Sequence, residues 1–123
     1  MRILAAVLLI GSAFEACADE MAYAPGDVFY CEMTLYLDYD SETKKIDHQF
    51  LDKFKFSIYN SDTIRFGEGS WFSRQEFQIS VLDGDLFFAR DKFGSISFYA
   101  GKFNYAGAFY SGSRLISAVC DRF

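Results

Sequence analysis

Few side chains in this sequence combine the types and spacing that chemistry requires. The only imidazole, His48, sits in Ile46-Asp47-His48-Gln49, and a catalytic triad would need a serine or cysteine nucleophile beside it. No Gly-x-Ser-x-Gly elbow is present to supply one. Asp38, Asp40 and Glu42 place three carboxylates at alternate positions, a donor set suited to a hard cation such as Ca²⁺. The glycine and the terminal glutamate of a calcium loop do not follow, so the trio reads as solvated acid at a strand end. Asp83-Gly84-Asp85 flanks a glycine with carboxylates and reads as turn chemistry. Gly67-Glu68-Gly69 lacks the strand–glycine-loop–helix setting that a phosphate cradle needs. These residues assign no catalytic group, no metal ligand and no cofactor site, and the chain reads as non-enzymatic.

Aromatic side chains are the other candidates. Trp71-Phe72 lies in a connection rich in glycine and serine, and Tyr99, Tyr105 and Tyr110 cluster towards the C-terminus. Exposed aromatics anchor partners, so Trp71, Phe72, Tyr99 and Tyr110 form the candidate binding surface. The competing expectation is that Trp71 and Phe72 fold inward and cap one end of the structure. The formal net charge is −5 and no basic cluster occurs. Phosphate backbones are bound through Lys and Arg, so nucleic acid is excluded as the expected partner.

The N-terminus carries an export signal in its order of regions. Met1-Arg2 is followed by the apolar run Ile3–Ile10 and then by Ala16-Cys17-Ala18 before Asp19-Glu20. That is the sequence of a cleaved secretory signal, with cleavage between Ala18 and Asp19. Anchoring through a lipid on Cys17 is the alternative, with Phe14 and Glu15 poor neighbours for that modification. The apolar run is shorter than the roughly 20 residues that span a bilayer, and no later segment approaches that length. The expectation is therefore a cleaved signal over 1–18 and a single β domain over 19–123, periplasmic or secreted. Cleavage leaves Cys31 and Cys120, and disulfides persist in exported proteins. Closing a loop of roughly 90 residues would stabilise the fold by about 4–5 kcal/mol.

These groups must be positioned by β-strands. Phe29, Cys31, Met33, Leu35 and Leu37 alternate with Tyr30, Glu32, Thr34, Tyr36 and Asp38. The same period-2 pattern recurs at Phe54-Phe56-Ile58, Ile64-Phe66, Phe77-Ile79-Val81, Leu86–Ala89, Ile96-Phe98, Phe103-Tyr105 and Leu115–Cys120. Alternation with one apolar face predicts an all-β antiparallel meander of about eight strands. Asp83-Gly84 predicts a tight hairpin, and Ser41–Leu51 reads as a hairpin end or a short helix. A cystine joining the first and last strands favours closure into a barrel, with a two-sheet sandwich as the alternative. Phe54, Phe56, Phe66, Phe77, Phe88, Phe98 and Phe103 would fill such a barrel; lining a pocket instead, they would make a lipocalin-like carrier of a small apolar ligand.

The cysteine settings Phe29-Tyr30-Cys31 and Val119-Cys120 resemble the layout of the small periplasmic inhibitors of C-type lysozyme. That resemblance implies an exported eight-stranded barrel with a first-to-last-strand disulfide. The inhibitory segments of that family, Ser-Gly-x-x-Tyr and a loop ending near Trp-x-Lys-Gly, correspond here to Ser111-Gly112-Ser113-Arg114-Leu115 and Trp71-Phe72-Ser73-Arg74. Both segments depart from the motif, so no functional residue is carried over. The expected function is binding to a protein or cell-envelope partner.

Overall fold

The computed structural model describes residues 22–69 and 71–123. The expected signal segment over 1–18, with the expected Ala18–Asp19 cleavage point and Cys17, lies outside the described residues. Nine strands follow in chain order: β1 (Val28–Asp40), β2 (Lys45–His48), β3 (Lys53–Asn60), β4 (Thr63–Phe66), β5 (Glu76–Asp83), β6 (Leu86–Arg90), β7 (Gly94–Tyr99), β8 (Lys102–Phe109) and β9 (Gly112–Arg122). Each of the strands β3 to β9 pairs antiparallel with the next, β1 pairs with β3, and β9 returns to β1. The sheet is a closed eight-stranded barrel with β2 as an extra strand, and the sandwich alternative does not apply.

Closure runs along the whole of β1, from Phe29 opposite Arg122 to Asp40 opposite Gly112. Cys31 stands directly opposite Cys120, and their disulfide spans 89 residues of chain at this seam. Cys31 shares the inner face with Phe29, as the alternation predicts, and is 1% exposed. The Ser41–Leu51 stretch is the end of a hairpin and contains β2. Its turn is built by Asp40, whose carboxylate accepts the N–H groups of Glu42 and Thr43. The expected tight hairpin at Asp83-Gly84 joins β5 to β6, with Gly84 at a φ of 58° that suits a residue without Cβ.

The interior is filled. Phe29, Phe54, Phe56, Phe66, Phe77, Phe87, Phe98 and Phe103 are buried together with Ile58, Ile64, Ile96 and Ile116. Most of their rings meet edge-on or tilted, for example Phe54 against Phe103 at 4.9 Å and Phe56 against Phe98 at 5.2 Å between centroids, geometries the ring quadrupole favours. The Tyr105 ring lies over Gly94 and Gly107, paired residues of β7 and β8, where added Cβ atoms would collide with it. Among the described residues no charged side chain is buried, and the buried Tyr105 is the tyrosine within the core. Outward positions carry charge instead, as in the exposed pairs Arg65–Glu76 and Lys53–Glu32.

Two bulges change which residues face the core. Register shifts between Met33 and Leu35 in β1 and between Ile79 and Val81 in β5. A bulge inserts one unpaired residue, here Thr34 and Ser80, and reverses the side-chain phase beyond it. Leu35 and Leu37 are therefore not on the Phe29 face; Tyr36 packs against the core in their place. Val81, expected inward, is 43% exposed, and Leu82 packs against the core. In β6 the buried residues are Phe87 and Ala89, and Phe88, expected in the interior, is 42% exposed beside Val81.

Candidate functional site

The barrel has two ends, and the antiparallel order decides which residues meet at each. The end of β1, the hairpin to β2, the loop between β4 and β5, the β6–β7 turn and the β8–β9 turn gather at one end, the mouth. The opposite end is covered by Tyr23, whose ring packs on Phe29 and Phe98 and whose hydroxyl accepts the Gly101 N–H.

The loop between β4 and β5 sends its two large aromatics to different places. It is tied by the Arg74 N–H to the Gly67 carbonyl, the Gln75 N–H to the Phe72 carbonyl, and an Arg74–Glu68 ion pair at 2.6 Å. Phe72 is fully buried, stacked on Phe66 at 4.5 Å. It belongs to the core and to no surface, which corrects its place among the candidate binding residues. Trp71 lies above it, half-buried, 5.3 Å from the Tyr105 ring.

The guanidinium of Arg114 covers Trp71 at 4.5 Å from the ring centroid. Tyr36 and Phe109 flank it at 5.3 and 5.4 Å. Arg114 faces inward because it shares the phase of Ile116 and Ala118 on β9, and Asp38 is its register partner on β1. Nε donates to Oδ1 at 2.5 Å and Nη2 to Oδ2 at 3.2 Å, a forked geometry matched to a carboxylate. Burial works most strongly against the Arg114 charge, but the Asp38 hydrogen bonds together with the nearby Tyr36, Asp38 and Tyr105 groups raise the pKa above its ordinary value. Burial also raises the Tyr36 phenol, with Arg114 opposing. For Tyr105, burial and the nearby Asp91 push the pKa up to about 12. The mouth is thus a rigid aromatic frame holding one neutralised charge pair.

Beside this frame lies an open cleft of about 300 Å³ bordered by Asp38, Asp40, Asp47, Gln49, Ser111 and Arg114. Arg114 and Asp38 cancel each other, so Asp40 and Asp47 give the cleft a negative balance. Tyr39, Phe109, Gly112 and Ser113 complete the lining. Such a cleft suits an ammonium or guanidinium group, which gains from a carboxylate and an aromatic face together. A larger depression of about 530 Å³ on the outer wall borders Glu32, Lys53, Lys55 and Asp121. Its Lys53–Glu32 pair is highly exposed, and exposed pairs hold little energy or geometry. The mouth, where neighbours fix the groups, is the better candidate.

Of the other residues singled out in the sequence, Tyr110 is at the mouth, fully exposed at the tip of the β8–β9 turn. Tyr99 is exposed at the opposite end, and Tyr105 is buried, so the three tyrosines form no common surface. His48 is exposed on β2 opposite Leu37. Among the described residues no three His, Cys, Asp or Glu side chains converge as metal ligands. Sequence reasoning missed Arg114, Asp38, Tyr36 and Phe109 as one cluster. The available signal was an arginine in the apolar phase of β9. The two segments that stand where the lysozyme-inhibitor motifs would be, and depart from them, meet here through Arg114 and Trp71, while Leu115 faces the outer wall and is 48% exposed. The chain matches no family model, no curated protein and no solved structure.

Proposed function

We propose that this is an exported, non-enzymatic barrel that binds a basic protein or cell-envelope partner at its mouth. The observation that carries the reading is the cleft of Asp40 and Asp47 beside an aromatic frame in which Trp71, Arg114 and Asp38 are locked together. The net charge of −5 favours the same partner class over long range. A filled interior supports binding on the outside rather than carriage of a small apolar ligand within. Apolar residues turned inward and charges outward are the reverse of a membrane barrel's pattern, which supports a barrel surrounded by water. The buried disulfide is consistent with an oxidising compartment, and the reading places the protein in the periplasm or outside the cell.

A second reading, a lysozyme-inhibitor-like protein, is favoured by the meeting of the Trp71 loop and the Ser111–Arg114 segment at one end. It makes a C-type lysozyme the first basic partner to try. The chain has one tryptophan, so the emission of Trp71 reports directly on the mouth. Titration with a basic protein should shift that emission, with an affinity that falls as salt rises. Asp47→Asn and Asp40→Asn should each weaken binding by about two- to fivefold, the range of a partly exposed charge contact. Binding that is unchanged in both variants would overturn the mouth as the site.

A further inference from the structure

Closing a barrel gives each strand two neighbours, and β2 stands outside that closure. It is the terminal strand of the sheet and pairs with β1 alone among the described strands. All four of its residues are exposed, Ile46 at 63%. An unpaired edge of this kind is a template for another strand.

The ladder decides which backbone groups are free. Asp40 stands opposite Lys45 and Asp38 opposite Asp47, and the Gln49 N–H donates to the Tyr36 carbonyl at 2.8 Å. Hydrogen-bonding residues alternate along an antiparallel pair. Lys45, Asp47 and Gln49 therefore turn their backbone groups to β1, and Ile46 and His48 turn theirs to the open edge.

This edge is complementary to itself in one register. Two copies related by a two-fold axis must cross antiparallel, with one residue facing its own copy. Centred on Ile46, the two isoleucines exchange both backbone bonds, and each Lys45 stands opposite the Asp47 of the other copy. Positions 45 and 47 share one strand face, so the two charge pairs flank the axis on that face. Ile46 packs on the other face beside its β1 neighbour Tyr39. A shift of one residue would set Lys45 against Lys45 or Asp47 against Asp47, which repel.

We propose that two copies of this chain pair through their β2 edges, antiparallel about Ile46, into a continuous sheet across both barrels. The interface is small, so the dimer is weak and reversible. Because Asp47 also borders the mouth cleft, self-pairing and a basic partner draw on the same carboxylate. The association is measured without any partner, so its failure leaves the binding reading untouched.

The test is sedimentation of the purified protein from about 10 µM to about 0.5 mM, a span that brackets weak self-association. The wild type should pass from monomer to dimer over that span. Lys45→Asp and Asp47→Lys should each weaken pairing by about tenfold, since both charge pairs turn repulsive. An equimolar mixture of the two variants should regain the dimer, because one chain then offers two carboxylates and the other two amines. That recovery also shows that both variants are folded. A wild type that stays monomeric throughout, or a mixture no more associated than either variant, would overturn the proposal.

Discussion

Replacing Phe72 by alanine removes the one fully buried side chain, among the described residues, that no strand contributes. Its ring touches those of Phe54, Phe66, Phe77, Phe103, Tyr105 and Trp71, with centroids 4.5 to 6.3 Å away. Truncation forfeits about 2 kcal/mol of transfer free energy for a fully buried phenyl. It also opens a void of about 100 Å³, which at ~24 cal/mol per Å³ adds about 2 kcal/mol if the surroundings do not relax. The cluster is hemmed in by paired strands, so little relaxation is available, and the expected loss is about 4 kcal/mol. Urea unfolding followed by far-ultraviolet circular dichroism, with the disulfide intact, measures it against the wild type. Tyr110→Ala, at a fully exposed position in the β8–β9 turn, should stay within about 0.5 kcal/mol. A loss below about 1 kcal/mol for Phe72→Ala would mean that the β4–β5 loop is not the stopper of the barrel, and the rigid mouth would go with it.

Two further outcomes follow from the seam and from the buried phenol. Replacing Cys31 and Cys120 together by serine frees an 89-residue loop in the unfolded chain and should cost about 4–5 kcal/mol in denaturant unfolding; a cost under about 1 kcal/mol would deny the seam its role. The Tyr105 phenol is raised to about 12 in the folded protein, from an ordinary value of 10.0. Its contribution is complete below pH ~10 and is lost as pH rises through about 12, because the unfolded chain ionises first. Melting temperature should fall across that window, by the equivalent of about 2 kcal/mol from Tyr105. Tyr23 and Tyr36, also raised chiefly by burial, add to the fall. Tyr105→Phe should flatten the fall, and an unchanged slope in that variant would contradict the assignment.

The strands were legible because period-2 alternation is local, and Phe54-Phe56-Ile58 or Ile96-Phe98 needs no knowledge of partners. The cystine added one long-range constraint, which is why closure of β1 on β9 could be anticipated. The bulges could not. Thr34 and Ser80 look like ordinary strand residues, yet each reverses every side chain after it up to the strand end. That reversal is what turns Tyr36 and Asp38 to the inside and leaves Leu35 and Val81 outside. Phe87 and Phe88 were indistinguishable by type, and only the register with β5 and β7 decides which one is buried. At the candidate site Trp71 and Tyr110 were visible as unusual aromatics in turns. The Arg114–Asp38 pair joins residues 76 apart in sequence, and its existence depends on the bulge in β1. Phe72 could be read either as exposed, because glycine and serine surround it, or as a cap folded inward, and the structure shows the ring buried.

Amide chemical shifts of the isotope-labelled protein, followed as a basic protein such as a C-type lysozyme is added, test binding at the mouth most directly. The account predicts changes at Asp40, Asp47, Trp71 and the Tyr110–Arg114 turn, with the indole N–H of Trp71 among them and the Tyr23 end silent. Changes centred on Tyr30, Lys55 and Asp121 of the outer wall, on Tyr99 at the far end, or on no residue at all would contradict it.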